Sequence, residues 1–401
     1  MKILLVHNQY STTGGEDQAL AREKAILKQW LGEENVLEYS VSVNDYSKWQ
    51  ILRSIFYSRT QYRKVYDLVK QHQIDIVHVH NYFPVLTASV FKAAKATGAK
   101  LVHTVHNYRW WCISGNFYRP TVGICTLCVD QKNFWNGIKH RCYRNSFLQS
   151  LVAKLAYAYY KKIGVFEWID QFWVLTQFQY QQLIKLGVPV DKLQLKPNML
   201  DSANFGAVNV DPLATGPAAE YQATQSADQR NGFLYIGRLD PEKGIEYILS
   251  EWVKLSEKYQ LTVIGSGSLE AAFKSQYYQP NIIFTGALPF DQVNQYLQKV
   301  QYTLQPSLWY ETMGLTIIES MQQGTPVIGF NIGTRPELIE HKKTGFICTP
   351  NQFIRTIQLA AHYPDEDYDA MVMNAKAFAQ NFAPDLIMAQ QLHLYENLLS
   401  Q

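Results

Sequence analysis

Phe233-Leu234-Tyr235-Ile236-Gly237-Arg238-Leu239-Asp240-Pro241-Glu242-Lys243-Gly244 decides the fold. A short apolar run closes on a glycine, a polar turn follows, and a helical pattern begins at Ile245. Such a strand–turn–helix unit belongs to a sheet covered by helices. The pattern repeats toward the C-terminus. Ile245–Lys258, Leu269–Gln276, Phe290–Lys299 and Thr312–Gln323 read as helices, and Leu261–Ile264, Ile282–Thr285, Tyr302–Gln305 and Pro326–Phe330 as strands. Toward the N-terminus, Lys2–Val6, Ile74–His80, Leu101–His106 and Phe172–Leu175 read as strands. Helical patterns run from about Glu16 to Trp30 and over Ala88–Ala96. This alternation predicts mostly parallel sheets.

The alternation breaks once. Phe205–Gly232 holds Asp211-Pro212 and Thr215-Gly216-Pro217 in a polar run, and reads as a linker or long surface loop. No internal repeat is visible. The expected fold is α/β, with two Rossmann-like doubly wound domains facing each other across a cleft. Residues 1–198 form the first domain, 199–232 the linker and 233–381 the second. Ligands bind such sheets at the C-terminal ends of their strands.

The chain has 401 residues, enough for two or three domains at about 150 each. Its 47% hydrophobic and 18% charged residues exclude a disordered chain. No apolar run reaches the roughly 18 residues of a membrane-spanning helix. Met1–Asn8 is too short for a signal peptide and reads as a buried strand. A cytoplasmic location is expected, so the five cysteines read as thiols or metal ligands rather than disulfides. The net charge of +3 conceals a division. Residues 1–200 carry 25 Lys and Arg against 13 Asp and Glu, +12; the rest carry 12 against 21, −9. A basic first half suggests an anionic surface as partner.

Arg238 and Lys243 stand at a strand end beside a helix start, where cations and backbone N–H groups together suit a diphosphate. In water they would be an ordinary surface pair. Glu311-Thr312-Met313-Gly314-Leu315-Thr316-Ile317-Ile318-Glu319 follows the strand Tyr302–Gln305. Gly314 near a helix start allows close approach to a ligand. Glu311 and Glu319, two turns apart, can accept hydroxyl hydrogen bonds, or simply mark the ends of an amphipathic helix. Gly14-Gly15 after the first strand suits a phosphate or a plain turn. His106 ends a strand with His103 and Asn107 nearby; His78 and His80 read as core or cleft-edge histidines.

Taken in order, these residues resemble the retaining glycosyltransferases of family 4, with the GT-B fold. The resemblance rests on Gly14-Gly15, His106, Gly237-Arg238…Glu242-Lys243-Gly244, Gly265-Ser266-Gly267, Glu311-x7-Glu319 and Gly333-Thr334-Arg335-Pro336-Glu337…Gly345. It implies a nucleoside-diphosphate sugar as donor. Arg238 and Lys243 would bind its diphosphate and stabilise the departing group. Glu311, with the N–H groups of Met313, Gly314 and Leu315, would hold sugar hydroxyls, and Glu319 the ribose. His106 would touch the donor sugar. Gly14, Gly15 and Gly237 would lie at the phosphates, and Gly267 beside the base. Two fixed cations would serve the leaving group with no catalytic metal or other cofactor, and no Asp-x-Asp triplet of the kind metal-dependent transferases use is expected in the chain. Phe382–Leu399 would cross back to the first domain, as helix 382–401.

Between His106 and Lys162 the chain departs from that pattern. Cys112, Cys125, Cys128 and Cys142 are spaced C-x12-C-x2-C-x13-C. The set fits a structural zinc site, free thiols or a disulfide. Ile138–Gly164 mixes Lys139, Arg141, Arg144, Lys154, Lys161 and Lys162 with apolar and aromatic residues, and Trp49–Lys64 repeats the theme. Such a helix suits an anionic membrane surface, or a core with a solvated edge. No nucleic-acid motif accompanies it. The sequence therefore reads as a hexosyltransferase-type retaining enzyme at the inner face of the plasma membrane. Its acceptor would be a glycolipid or lipid-linked oligosaccharide, in cell-envelope or exopolysaccharide synthesis. A sugar-nucleotide epimerase of the same fold, or a non-catalytic sugar-nucleotide or membrane-binding protein, are the alternatives.

Overall fold

The computed structural model describes residues 1–10, 14–201 and 230–401. Most of the expected linker, and Ser11–Thr13 after the first strand, lie outside the described residues. The chain divides into two compact units. One comprises Met1–Met199, Tyr310–Met313 and Pro384–Gln401; the other Leu200–Trp309 and Gly314–Ala383.

The first unit holds β1 (Ile3–Gln9), β2 (Val36–Ser42), β3 (Ile76–Val79), β4 (Lys100–Thr104), the two-stranded ribbon β5 (Tyr118–Arg119) and β6 (Gly123–Ile124), β7 (Gln171–Val174) and β8 (Leu193–Leu195). Its main sheet is parallel, in the order β2-β1-β3-β4-β7-β8. Alternate residues face opposite layers. Leu4, Val6, Val77, Val79 and Leu101 join one core with Val65, Val69, Val90 and Phe91 of the helices Arg59–His72 and Ser89–Thr97. Ile3, Leu5, Ile76 and Val102 join another with Leu20 and Leu27 of the helix Gly15–Leu31 and Ile387, Met388, Tyr395 and Leu398 of the helix Pro384–Leu399. Burial of both faces explains why these strands are apolar at most positions.

The second unit holds β9 (Phe233–Ile236), β10 (Leu261–Ile264), β11 (Ile282–Gly286), β12 (Tyr302–Gln305), β13 (Val327–Phe330) and β14 (Gly345–Cys348), paired in parallel in the order β11-β10-β9-β12-β13-β14. This is the doubly wound order of dinucleotide-binding sheets.

Several helices are shorter than the sequence suggests. Ile245–Lys258 is helical only to Trp252, and Thr312–Gln323 only over Leu315–Gln322. Gly314 has φ 87° and initiates the latter, so the preceding residues are loop. The basic stretch Ile138–Gly164 resolves into turns and one helix, Phe147–Lys162. Trp49–Lys64 splits between the helices Lys48–Ser54 and Arg59–His72, the second capped by the Ser58 hydroxyl. Among the described residues no helix is long and apolar enough to cross a membrane.

Candidate active site

Each sheet reverses its winding once. In the second unit the chain passes from β9 to β10 and β11, then returns to the other side of β9 as β12. In a doubly wound sheet the loops leaving the two strands at such a reversal diverge, and ligands bind there. Gly237–Gly244 is the first of these loops and Pro306–Gly314 the second.

The β9 loop is held by backbone contacts that explain its glycines. The Gly237 and Leu239 N–H groups donate to the carbonyls of Ile264 and Ser266, both at 3.0 Å. A Cβ on Gly265 would overlap the Gly237 carbonyl, and one on Gly267 the Leu239 backbone. Gly244 has φ 71°, and a Cβ there would overlap the Pro306 carbonyl oxygen. Lys243 stands on the turn Pro241–Lys243, its Nζ 5.1 Å from the Trp309 ring. Arg238 is 54% exposed and paired with two carboxylates, Asp240 Oδ2 at 2.6 Å and Glu242 Oε1 at 2.8 Å. Asp240 is anchored in turn, its Oδ1 accepting from the Ser268 N–H and hydroxyl.

The β12 loop is secured by a side chain the motif reading left without a role. Arg335 is fully buried and donates to the carbonyls of Phe330, Ser307 and Trp309. Gln305 donates to the Thr316 hydroxyl at 2.8 Å, tying the end of β12 to the helix Leu315–Gln322. The first N–H groups of that helix lack intrahelical acceptors. Glu319 is half-buried on its second turn. Glu311 is buried and, with Thr312 and Met313, belongs to the first unit. There the Thr312 hydroxyl donates to the His106 carbonyl (3.3 Å) and the Thr176 hydroxyl to the Thr312 carbonyl (3.0 Å). The Asn198 N–H donates to the Met313 sulfur (3.2 Å).

In the first unit the winding reverses between β1 and β3. Gly14 and Gly15 follow β1, His80 follows β3, and His106 follows β4. The Gly14 N–H donates to Asp17 Oδ2 at 2.7 Å, and the other Asp17 oxygen meets His7 Nε2 at 2.8 Å. Among the described residues outside its own turn, a Cβ on Gly15 would meet no atom within 4 Å.

Behind His106 lies a buried polar network. His106 Nε2 is 3.0 Å from His80 Nδ1, and His80 Nε2 is 3.6 Å from Glu23 Oε1. Lys196 Nζ donates to Glu23 Oε2 and Gln391 Nε2 to Glu23 Oε1, both at 2.7 Å. His78 completes it, bonded to Tyr395 and Thr104. Burial holds His78, His80 and His106 below the ordinary imidazole range, so all three are neutral at pH 7. Against the strong tendency of burial, Lys196 and then His80 keep the Glu23 carboxyl well below its usual range. An ionised Glu23 favours the His80 proton on Nε2. His80 Nδ1 then accepts from His106 Nε2–H, which leaves Nδ1 as the acceptor that His106 offers.

Among the described residues Glu23, His78 and His80 are the one group of three metal-type donors within 4.8 Å. The Lys196 ammonium already occupies the carboxylate, and its charge opposes a dication there. The chain's Asp-x-Asp triplets, Asp365-Glu366-Asp367 and Asp367-Tyr368-Asp369, lie in the helix Asp365–Ala379, where first-turn carboxylates favour the helix N-terminus. The structure thus sets Arg238, Lys243, Gly237 and Gly267 on one pair of loops, Gly314, Leu315 and Glu319 on one helix start, and Glu311 and Met313 on either side of Thr312, which bonds to the His106 carbonyl. Sequence reasoning missed Glu23, Lys196 and the role of Arg335. Only the alternation of His78 and His80, which puts both on one face of β3 and its extension, hinted at the network.

Residues 32–204 match the family model described as Glycosyltransferase Family 4, and residues 219–378 the one described as Glycosyl transferases group 1. An uncharacterized glycosyltransferase of Methanocaldococcus jannaschii is 30% identical over 129 residues, 31% of this chain and 33% of that protein. The matched stretch thus spans about a third of that relative's length. The alpha-monoglucosyldiacylglycerol synthase of Streptococcus pneumoniae is 24% identical over 364 residues, 85% of this chain and 74% of that one. The crystal structure of HepE from Anabaena in complex with UDP and glucose shares the fold, with a TM-score of 0.65 at 14% identity, covering 99% of this chain and 100% of that chain.

Proposed function

The chain belongs to the family 4 glycosyltransferases of GT-B fold, and from that premise we propose that it moves a sugar from a nucleoside-diphosphate sugar to an acceptor hydroxyl with retention at the anomeric carbon. The observation that carries this reading is the placement of Arg238 and Lys243 on the β9 loop, at the reversal point of a doubly wound sheet. Breaking the glycosyl–phosphate bond leaves positive charge on the sugar and negative charge on the diphosphate. Two preplaced cations, with Gly314 and the helix start behind it, stabilise the latter as it forms. No protein-bound metal is required for that step.

Glu311 and the N–H groups of Met313, Gly314 and Leu315 hold sugar hydroxyls, Glu319 holds the ribose, and His106 offers Nδ1 as an acceptor to the donor sugar. Gly14 and Gly15 lie at the phosphates, Gly237 beside them and Gly267 near the base. The open space at Gly15 among the described residues is compatible with that assignment. The acceptor oxygen attacks the anomeric carbon on the face the diphosphate leaves. The departing phosphate takes the acceptor proton, so Glu311 is a binding and electrostatic group rather than a nucleophile. The carboxylates do not form a glycosidase pair, which would have no use for Arg238 and Lys243.

The acceptor is a glycolipid or lipid-linked saccharide, met by the first unit at an anionic membrane surface. Three facts support this. Residues 1–200 carry a charge of +12. Leu148 (66% exposed), Leu155 and Tyr159 of the helix Phe147–Lys162 present apolar surface beside Lys161 and Lys162, and Trp49 is 72% exposed nearby in sequence to Arg53. The S. pneumoniae relative is named as a glycolipid synthase.

Turnover of a panel of nucleoside-diphosphate sugars by the wild-type and Lys243→Ala proteins tests the reading. Lys243→Ala is expected to cut kcat at least a hundredfold, since its charge is needed most in the transition state. Unchanged turnover overturns the mechanism. An epimerase would convert donor with no acceptor present, which NMR of the donor sugar detects directly.

A further inference from the structure

We propose that Cys112, Cys125, Cys128 and Cys142 hold a structural zinc ion in the first unit, in a site independent of donor chemistry. The spacing in sequence permits such a set; the fold assembles it. All four cysteines line one small cavity, whose other walls include Ile113, Arg119, Gly137 and His140. They arrive from four separate pieces of chain. Cys112 closes a turn on the Tyr108 carbonyl (2.9 Å), Cys125 follows the β5–β6 ribbon, Cys128 sits in the helix Leu127–Asp130, and Cys142 follows the helix Trp135–Lys139.

The surrounding segment gives a reason for a metal. From Asn107 to Asn145 its regular structure amounts to a ribbon of two-residue strands and helices of four and five residues. Lys132, Arg141, Arg144 and Asn145 adopt positive φ. A stretch so poor in regular hydrogen bonding gains most from a cross-link that ties its pieces together. The five cysteines are free thiols, so no disulfide does this.

Local chemistry suits thiolate ligands. The Gly137 N–H donates to the Cys128 sulfur, and such a bond favours the ionised form. Gly137 packs closely on Ile113, whose side chain would have to shift to admit a Cβ there. Arg119 lines the same cavity, and its guanidinium offsets part of the negative charge of four thiolates around one dication. Zinc displaces one proton from each sulfur as it binds. In a filled site the sulfurs stand about 3.8 Å apart, from Zn–S bonds of about 2.3 Å. The thiols are wider apart than that, since no three of them fall within 4.8 Å. Zinc therefore draws the sulfurs inward around a cavity that already exists.

The test uses the full chain purified from cells supplied with zinc, analysed by plasma mass spectrometry. About one zinc per chain is expected. Cys125→Ser/Cys128→Ser should lower it at least tenfold, while His140→Ala keeps it. Because the double variant may not fold, the wild type is also stripped and loaded with Co2+. Intense visible d–d bands with sulfur charge transfer mark a tetrahedral thiolate site. Less than a tenth of an equivalent of zinc with no cobalt bands, iron with labile sulfide, loss of zinc in His140→Ala, or zinc unaffected by the double change would each overturn the assignment.

Discussion

Glu23→Gln is the most informative single change in the buried network. It keeps the shape of the side chain and removes its charge. Lys196, whose side chain is 0% exposed, then holds an ammonium against a neutral amide. The neighbouring imidazoles of His78 and His80 supply no negative charge. Removing one partner of a buried pair costs about 3–5 kcal/mol, because the other charge is left uncompensated. For a unit of this size that corresponds to roughly 6–20 °C in melting temperature. Urea unfolding followed by tryptophan fluorescence measures the loss, with Trp173 as a near reporter: its ring lies 5.9 Å from Lys196 Nζ and 4.9 Å from the His78 ring. Glu23→Gln/Lys196→Met removes both charges and is expected to recover most of the loss. The pH dependence has a definite sign. The folded pKa of Glu23 is depressed, so its contribution is complete above the ordinary value of 4.5 and is lost as pH falls through the folded value. His78 and His80 have depressed folded values too, and destabilise the wild type as pH falls below 6.5. Glu23→Gln should lack only the component below 4.5. A single variant within about 0.5 kcal/mol of wild type, or a double variant as damaged as the single, would refute the ion-pair account.

Gly244→Ala should cost the second unit about 1–3 kcal/mol from its left-handed backbone alone, with more from the clash at Pro306, read as a lower melting temperature. Gly15→Ala should leave melting unchanged yet raise the donor KM about tenfold, some 1.4 kcal/mol, if the donor phosphates lie against this backbone as proposed. Glu242→Gln frees Arg238 from an exposed pair. Nucleoside-diphosphate affinity should tighten about two- to fivefold by calorimetry, the range an exposed ion pair allows. Leu148→Glu/Leu155→Glu should abolish sedimentation with vesicles of anionic lipid while turnover on a short soluble acceptor persists; retained sedimentation would remove this helix from the membrane face.

The fold was legible because its central strands are buried on both faces. Ile3–Val6 and Phe233–Ile236 are apolar without interruption, and His78 alone interrupts Ile76–Val79. Helix ends were less legible, since they are set by contacts outside the helix. Gly314 lies inside a good helical pattern, yet its left-handed backbone starts the helix there and frees Glu311–Met313 to bond elsewhere. Phe56 and Tyr159 likewise bring two basic stretches together, through rings 6.1 Å apart and 103 positions distant in sequence, which periodicity cannot show.

The site was legible where chemistry is local and hidden where it is not. Arg238 and Lys243 share one turn, so charge and spacing alone mark them. Glu23 meets Lys196 across 173 residues and Gln391 across 368, and nothing in the helix pattern of Gly15–Leu31 sets that carboxylate apart. The hidden part also fixes what the legible part can do. An ionised Glu23, held by Lys196, favours the tautomer with the His80 proton on Nε2, and in that tautomer His106 donates from Nε2 to His80 and accepts through Nδ1. Glu23 thus acts as a positioning residue as well as a structural one. A structural role alone lowers the fraction folded and leaves the KM of the remaining folded enzyme intact. Loss of the tautomer lock raises KM for the donor in protein that is still fully folded at the assay temperature.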